Sequence, residues 1–257
     1  MPKKSFERII KCIDLRYLSI LLVLFSVGCS VDKEIFSGTL QEAVQDSEIV
    51  LDNVIACAAS NQNDGGTSVF LYPREGGTNI RYFESRSPDA DKNDFSAYDE
   101  FDVSPQDIFN GYLKRIETRV DEGIWIIVSF EEDGKTHLSN PIRIKKDSKP
   151  TEYLPENVSV ENMGTTMPTF TWTDGKYDDS VIYFQVVSDE NSDLFSGTYT
   201  FKRTFEYYDT SNVVLNITRE IPPLLEFSTD YNFTLMGVSE DNWVNLFVEL
   251  SFNPQEN

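Results

Sequence analysis

Pro168-Thr-Phe-Thr-Trp-Thr173 alternates small hydroxyl residues with large aromatic ones, so Phe170 and Trp172 fall on one face of an extended chain. Similar short segments, separated by turn residues, continue to the end of the chain. We predict seven strands in this half: Asn157–Val160, Pro168–Thr173, Val181–Val187, Leu194–Phe201, Asn212–Thr218, Tyr231–Val238 and Asn245–Phe252. Short strands separated by a turn signal about every 8 to 12 residues are typical of a β-sandwich.

The first half of the chain carries the same pattern around one strong strand signal. Residues 123–130, Gly-Ile-Trp-Ile-Ile-Val-Ser-Phe, are mostly aromatic or β-branched, which predicts a strand buried on both faces. Asp133-Gly134 follows as a hairpin turn. Residues 137–145 then predict the returning strand, in which Pro141 marks an edge or a bulge.

Two sets of strands predict an all-β chain of two tandem immunoglobulin-like or fibronectin type III-like β-sandwich domains. We expect the first over residues 48–147 and the second over 150–254, separated by the charged, proline-ended segment 146–150. The one helix signal is short, because Ser104-Pro105 predicts a single turn over 106–110.

The first 28 residues have the three zones of a secretory signal peptide. Five basic residues lie among the first 16, and the apolar run 18–27 follows and ends at Gly28-Cys29. This run is about ten residues long, whereas a helix that crosses a bilayer needs roughly 20. We therefore predict a signal peptide over 1–28, with a transmembrane anchor as the alternative.

The three cysteines of the chain, Cys12, Cys29 and Cys57, indicate a lipid anchor more than a disulfide framework. Residues 25–29, Phe-Ser-Val-Gly-Cys, resemble a lipobox, the sequence that signal peptidase II recognises before a lipid-modified cysteine. The resemblance implies lipid attachment at Cys29, although Ser26 stands where the commonest lipobox has leucine. A disulfide between Cys29 and Cys57 is the alternative.

The segment behind this cysteine is acidic, and we predict a flexible tether over residues 29–47. Its start, Ser30 to Glu34, resembles the surface-export signal of Bacteroidota lipoproteins, and a merely solvated linker is the alternative. Together these features predict a protein anchored by lipid in the cell envelope, at the outer membrane. Whether it faces the periplasm or the cell surface is left open by the sequence.

The charge of the chain argues against two classes of partner. The chain has 22 basic and 43 acidic residues, a net charge of −21. Because residues 1–28 hold five basic and two acidic residues, the remainder carries 17 against 41, or −24. Such a surface repels the phosphates of nucleic acid. It also repels anionic lipid, so attachment to a membrane requires the covalent lipid.

Parts of the second half resemble a fibronectin type III domain. Residues 168–172 resemble its strand B with a core tryptophan, 182–186 resemble strand C, and 225–233 resemble the approach to strand F, with Tyr231 at the corner. In the first half, 125–144 resembles an F–G hairpin. Overall the chain resembles two-domain surface lipoproteins of Bacteroidota, which implies a location and a fold but no catalytic residue.

Residues suited to catalysis are few. His137 is the single histidine and has no nucleophile pattern near it in sequence, so we interpret it as an ordinary strand residue. Cys57 lies in an apolar segment without a neighbouring base, which is typical of an inert buried thiol. One histidine and one cysteine do not make a zinc site, and the sequence has no cofactor-binding motif.

A weak calcium candidate lies in the acidic segment after residue 88. Asp89, Asp91, Asn93 and Glu100 occupy positions 1, 3, 5 and 12 of an EF-hand-like spacing. Asp94 stands at position 6, where the calcium loop has glycine. A solvated acidic loop is the alternative interpretation.

Four aromatic residues lie beside turns or polar loops and are candidates for a binding surface: Tyr177, Tyr207, Tyr208 and Trp243. Amphipathic rings at loop tips suit contacts with proteins or sugars. The alternative is that these rings fold back over the ends of the sandwiches.

The sequence therefore predicts a lipid-anchored binding or structural module of the cell envelope without catalytic activity or a cofactor. Its partners would be the membrane, through the N-terminal lipid, and an envelope protein or a glycan, but not nucleic acid. The alternative is a glycan-binding accessory lipoprotein of an outer-membrane nutrient-uptake system.

Overall fold

The computed structural model of the protein describes residues 35–256, which belong to one compact unit, Glu34–Asn257. The predicted signal peptide, Cys29 and the start of the predicted tether lie outside the described residues. Within the described range, no helix is long and apolar enough to cross a membrane.

The first sandwich is built from ten strands and one short helix. Its strands are β1 (Ile35–Thr39), β2 (Glu48–Ser60), β3 (Thr67–Tyr72), β4 (Thr78–Ser85), β5 (Tyr98–Phe101), β6 (Gln106–Ile108), β7 (Leu113–Thr118), β8 (Trp125–Glu132), β9 (Lys135–Ser139) and β10 (Ile142–Arg143). The helix, α1, spans Leu40–Val44, and a one-turn 3-10 helix spans Phe95–Ala97.

Two sheets enclose the core of this sandwich, and β2 belongs to both. One sheet has the order β1-β5-β4-β8-β9-β2, and the other has the order β2-β3-β7-β6. The first part of β2 pairs parallel with β9, and the second part pairs antiparallel with β3. This division of strands into two mainly antiparallel sheets is the immunoglobulin-like layout.

The β8–β9 hairpin has the turn that the sequence predicts. Asp133 and Gly134 both have positive φ, 52° and 74°, as a two-residue hairpin turn with matching twist requires. Trp125–Glu132 pairs with Lys135–Ser139, and Pro141 separates β9 from the short β10. The predicted hairpin at the end of the first half is therefore confirmed.

The predicted flexible tether is wrong for residues 35–47, because these residues are folded into the first sandwich. Strand β1 pairs with β5, and α1 buries Leu40 and Val44. The helix begins with a capping box in which Thr39 and Glu42 bond to each other's backbone N–H groups. The Thr-x-x-Glu spacing was a readable signal for this helix, and the acidic composition of the segment concealed it.

The predicted helical turn over 106–110 is also wrong. Gln106–Ile108 forms strand β6, which pairs antiparallel with β7. A single helical turn is costly to nucleate, whereas an edge position beside β7 offers hydrogen bonds at once.

The second sandwich contains all seven strands that the sequence predicts for this half, together with two very short ones. Its strands are β11 (Glu152–Tyr153), β12 (Val158–Glu161), β13 (Thr169–Trp172), β14 (Ser180–Asp189), β15 (Leu194–Thr200), β16 (Thr204–Glu206), β17 (Val213–Asn216), β18 (Tyr231–Ser239) and β19 (Val244–Phe252). A 3-10 helix spans Pro155–Asn157. The sheets have the orders β11-β19-β18-β14-β15-β17 and β12-β13-β16.

The core of the second sandwich has the aromatic features predicted from its resemblance to fibronectin type III domains. Phe170 and Phe233 stack across the two sheets with ring centroids 4.0 Å apart, and Trp172 is buried beside them. At the start of β18, the Tyr231 hydroxyl accepts a hydrogen bond from the backbone N–H of Glu226 at 2.8 Å. This tyrosine corner and the sheet orders confirm the predicted β-sandwich fold.

The two sandwiches pack face to face, so the molecule is a stack of four β-sheets. In β3, Val69 and Leu71 point into the first core, while Phe70 points to the other side. In β14, Val187 points into the second core, while Phe184 points toward the first sandwich. The outward-facing apolar residues of both sandwiches therefore form a third hydrophobic core between them.

The β18–β19 turn of the second sandwich packs into the first sandwich and makes hydrogen bonds with it. Trp243 is fully buried in the core of the first sandwich, and its Nε1–H donates to the carbonyl of Lys149 at 2.7 Å. The Asn242 carbonyl accepts from the N–H of Ala58 at 3.0 Å, and Asp241 pairs with Lys145. These contacts fix the relative position of the two sandwiches.

Candidate ligand-binding cleft between the sandwiches

A cleft opens at the boundary of the two sandwiches, where the facing sheets diverge. Its volume is about 800 Å³, and a second cavity of about 280 Å³ adjoins it along the second sandwich. The two cavities share the lining residues Phe109, Ser192, Thr234 and Glu249, so they form one elongated depression. A cleft of this size at a domain boundary is a usual place for a ligand.

Three turns surround the cleft. The turn between β2 and β3 contributes Asn61 to Asp64, the turn between β6 and β7 contributes Phe109 to Gly111, and the turn between β14 and β15 contributes Asn191 to Asp193. In the first, Asp64 accepts the N–H of Gly66 through its side chain at 2.8 Å. Two of the turns belong to one sandwich and the third to the other, so the cleft requires both.

The β6–β7 turn holds Phe109 in a strained conformation at the edge of the cleft. Phe109, Asn110 and Gly111 have φ values of 51°, 44° and 85°, in the left-handed region. A bulky residue there costs on the order of 1–3 kcal/mol and persists only when its surroundings hold it. Here the Asn110 side-chain oxygen accepts the N–H of Leu194 at 3.1 Å, which ties this turn to the second sandwich.

The floor of the cleft is aromatic. The rings of Phe70 and Phe247 stack with centroids 5.9 Å apart, and the ring of Tyr153 lies 5.3 Å from that of Phe247. Phe70 and Phe247 are nearly buried, while Tyr153 is half-buried and donates its hydroxyl to the carbonyl of Ser60. The floor is therefore a rigid part of the core between the sandwiches.

One wall of the cleft is a polar network on the first sandwich. The Asn61 side-chain N–H₂ donates to Glu117 at 2.9 Å, and the Ser68 hydroxyl lies 2.7 Å from the Asn61 oxygen and 2.8 Å from Glu117. Arg115 pairs with the same Glu117 at 3.0 Å. These contacts hold the polar groups in defined positions before any ligand arrives.

The cleft has an acidic character. Arg115 is the one basic residue among the lining residues. Five carboxylates also line the cleft: Asp64, Asp107, Glu117, Asp193 and Glu249. Burial first, and then the charges of Glu249, Glu117 and Asp64, raise the pKa of Tyr153 to about 12. The Gly66 N–H and the Asn61 side chain lower the pKa of Asp64 below its ordinary value, so this carboxylate stays charged.

The single histidine of the chain and Cys57 both lie outside the cleft. His137 is buried in the first sandwich and stacks on Phe130 with ring centroids 4.8 Å apart. Burial raises the pKa of the Cys57 thiol to about 12, so the thiol stays protonated at neutral pH. Neither residue lines the cleft.

Two of the four predicted binding aromatics are buried and do not belong to a surface. Trp243 lies in the core of the first sandwich, as described above. Tyr207 is 1% exposed, and its hydroxyl donates to the carbonyl of Pro223 at 2.6 Å. Both residues are beside turns in the sequence, but each turn folds over a hydrophobic core and draws the large ring inward.

Tyr177 and Tyr208 are half-buried, and the structure does not bring them together with the cleft. The Tyr177 ring lies between the ammonium groups of Lys149 and Lys176, at 5.3 and 5.0 Å. The Tyr208 hydroxyl accepts from Asn216 at 2.6 Å. A binding role for these two rings stays a prediction.

The four residues of the calcium candidate do not converge. Glu100 lies in β5, where the Arg81 Nε and Nη2 atoms both hold it at 2.6 Å. The Asp91 side chain instead accepts the backbone N–H of Asn93 at 3.0 Å. The backbone N–H of Asp89 donates to the Ser87 hydroxyl at 3.0 Å, and among the described residues no group of three or more His, Cys, Asp or Glu side chains is arranged to hold a metal ion. A calcium role for these four residues stays a prediction.

Sequence reasoning missed the cleft because its lining residues come from six separate segments of the chain, 61–70, 107–117, 153, 191–193, 234–236 and 247–249. The run Asn61-Gln-Asn-Asp-Gly-Gly66 was a readable turn signal, and amide side chains in such a turn are often exposed. Nothing in the local sequence indicates that this turn lies opposite Asn191 to Asp193. Only the face-to-face packing of the sandwiches brings these residues together.

Comparisons with known proteins show no family for this chain. No protein-family model matches the chain, and a search of curated proteins found no match. Among solved structures, the FN1–FN3 domains of chicken CNTN1 match at 12% identity over 81% of this chain and 68% of that chain, with a TM-score of 0.31. A segment of two fibronectin type III domains from chicken tenascin matches at 16% identity over 79% of this chain and 98% of that chain, with a TM-score of 0.24.

Proposed function

We propose that this protein is a non-catalytic binding module, anchored in the cell envelope by lipid on Cys29, and that its ligand occupies the cleft between the sandwiches. The observation that carries this proposal is a cleft of about 800 Å³ whose walls are held in place by a shared hydrophobic core. A binding site that is formed in advance loses little entropy when a ligand enters.

The chemistry of the cleft supports binding over catalysis. Its carboxylates are exposed or engaged with neighbours, for example Glu117 with Arg115 and Asp107 with Lys114. Acid catalysis by a carboxyl group needs a pKa raised toward neutrality. The pKa of Asp64 is shifted in the opposite direction, because the Gly66 N–H and the Asn61 side chain lower it.

The proposed anchor is supported by the sequence alone. The apolar run 18–27 ends at Cys29, and the remainder of the chain has a net charge of −24. A protein with this charge gains nothing from contact with anionic lipid, so a stable position at a membrane requires a covalent lipid or a span.

Replacing Cys29 with serine tests the anchor. Lipid attachment needs the thiol, so we expect Cys29→Ser to lose its incorporation of labelled palmitate and to leave the membrane fraction. Cys57→Ser serves as the control and should stay with the membrane. If Cys29→Ser remains as tightly attached as the wild type, the N-terminal segment that contains this apolar run acts as an uncleaved anchor instead.

Filling the cleft tests the proposed binding site. Glu249 lies on β19 and lines both cavities, and its side chain makes no hydrogen bond or ion pair with other described residues. We expect Glu249→Trp to lower retention on a native cell-envelope fraction by at least about tenfold, or about 1.4 kcal/mol. The measurement uses the chain from Ser30 onward, which contains the whole compact unit.

Glu161→Trp is the matched control for this substitution. Glu161 is an exposed carboxylate on strand β12, and it does not line the cleft. It should bind as the wild type does. Equal retention of all three chains would show that the cleft is not the binding site.

The alternative function, a glycan-binding accessory lipoprotein of an uptake system, is favoured by the amide side chains in the turns around the cleft, such as Asn63 and Asn191. It predicts that the lipidated protein copurifies with an outer-membrane transporter. Absence of any transporter from a crosslinked complex would argue against it.

A further inference from the structure

We infer that the ligand of the cleft is an uncharged saccharide. This inference rests on the proposed binding role of the cleft and names the chemical class that the cleft suits. It is carried by the combination of amide groups, carboxylates and aromatic rings that the packing of the two sandwiches brings together.

The hydrogen-bonding groups of the cleft match those of a sugar ring. Five amide side chains line it: Asn61, Gln62, Asn63, Asn110 and Asn191. An amide both donates and accepts, while a carboxylate accepts from two directions. Adjacent hydroxyls of a saccharide also donate and accept, so they can satisfy an amide and a carboxylate such as Asn191 and Glu249 together.

The cleft also offers apolar surface for the C–H faces of a sugar. Phe109 lines both cavities, and Tyr153 lines the larger one, with both rings half-buried. Phe109 is held over the cleft by a turn in which three consecutive residues have positive φ. Such strain persists where the position of the side chain matters to the site, which indicates that this ring contacts the ligand.

The shape of the depression suits several linked rings. The smaller cavity extends the larger one along the second sandwich, past the small polar residues Ser188, Asn232 and Ser251. The Ser251 hydroxyl donates to the side-chain oxygen of Asn232 at 2.8 Å. The side-chain N–H₂ of Asn232 donates to the carbonyl of Asp189 at 3.0 Å. This extension is an ordered polar surface suited to an elongated ligand.

The charge of the cleft argues against anionic ligands. Five carboxylates repel phosphates, sulfates and uronic acids. Two of the five are paired with cations, Asp107 with Lys114 and Glu117 with Arg115, while Asp64 accepts the Gly66 N–H. A cationic ligand would depend on the remaining carboxylates and would be displaced by salt, whereas the amides and aromatic rings of the cleft need no charge on the ligand.

Binding of the chain from Ser30 onward to a native cell-envelope fraction tests the inference in two treatments. Sodium periodate cleaves the vicinal diols of saccharides, and proteinase K removes the proteins of the fraction. We expect periodate to abolish the retention that depends on Glu249, and proteinase K to leave it unchanged. Raising NaCl from about 0.05 to about 0.5 M should change retention less than about twofold, because an uncharged ligand leaves little Coulomb interaction to screen.

Two substitutions then test the contacts. Asn191→Ala removes an amide from an exposed turn, and Phe109→Ala removes the ring over the cleft. Each should weaken binding by about tenfold, the loss expected for one good polar or aromatic contact. Glu161→Ala should have no effect, and unchanged thermal unfolding of each variant shows that the fold is intact.

The outcomes separate this inference from the proposed function. Cleft-dependent retention that survives periodate but is lost with proteinase K overturns the saccharide and leaves the binding module standing, with a protein partner. Loss of retention at high salt overturns it in favour of a cationic ligand. Retention that never depends on Glu249 removes the proposed function together with the inference.

Discussion

The side chain of Trp243 joins the two halves of the chain. It belongs by sequence to the β18–β19 turn of the second sandwich, yet it is buried among Ala58, Val69 and Ile142 of the first. Burial of one tryptophan removes a large apolar area from water, and the bond from its Nε1–H to Lys149 satisfies the one polar group of the ring. A single residue thus couples the stabilities of both sandwiches.

Truncation of this residue has a large expected cost. Trp243→Ala should lower the free energy of unfolding by about 3–5 kcal/mol, because it leaves a cavity in the core of the first sandwich. Trp243→Phe keeps most of the packing but loses the bond to Lys149, so we expect a smaller loss, about 1–2 kcal/mol. Urea titration followed by circular dichroism measures both values. A loss below about 0.5 kcal/mol for Trp243→Ala would contradict the position of the ring.

At the scale of the elements, the strands that face both sandwiches carry the architecture. Strands β3 and β14 are buried on both faces, because each lies between one sandwich core and the core that the sandwiches share. Such strands tolerate little change in side-chain volume. Close approach of neighbouring elements explains Gly197 in β15, where a Cβ atom would stand 2.8 Å from Ile217.

Gly197→Ala tests this close packing. The added methyl group would also meet Leu194 at 3.1 Å, so we expect the strand or Ile217 to shift. Overpacking of this kind costs about 1–3 kcal/mol in the free energy of unfolding. Gly134→Ala is the control for a glycine with open space, although its positive φ gives it a separate cost of roughly 1 kcal/mol. A stability for Gly197→Ala equal to that of the wild type would contradict the packing.

At the scale of the whole molecule, the four stacked sheets form one structural unit. The core between the sandwiches holds apolar residues from both of them, among them Phe70, Phe184 and Met236. Tandem domains joined only by a flexible linker unfold independently, whereas domains that share a core lose stability together. The cleft depends on this arrangement, because its walls come from both sandwiches.

We therefore expect a single cooperative thermal transition for the chain from Ser30 onward. Calorimetry should give a van't Hoff enthalpy close to the calorimetric enthalpy. In Trp243→Ala the transition should broaden or split, because the contacts of this side chain with the core of the first sandwich are lost. Two well-separated transitions in the wild type would show that the shared core contributes little.

The sequence by itself determined the secondary structure and the class of fold, because alternation of polar and apolar residues is a local property of strands. The seven strands of the second half, the Asp133-Gly134 turn and the tyrosine corner at Tyr231 were all predictable in this way. Local signals failed where partners far along the chain decided the outcome, as for β6, which forms only because β7 lies beside it.

Only the tertiary structure decided which surface could bind a ligand. Trp243 and Tyr207 looked like surface aromatics, and the packing of the sandwiches buried both. The same packing brought Phe109 and Asn191 to one cleft, although 82 positions separate them along the chain. The physical reason is that an apolar sheet face has no local marker for its partner. Strand β3 is buried on both faces, and only the folded chain shows that its second face packs against the other sandwich beside the cleft.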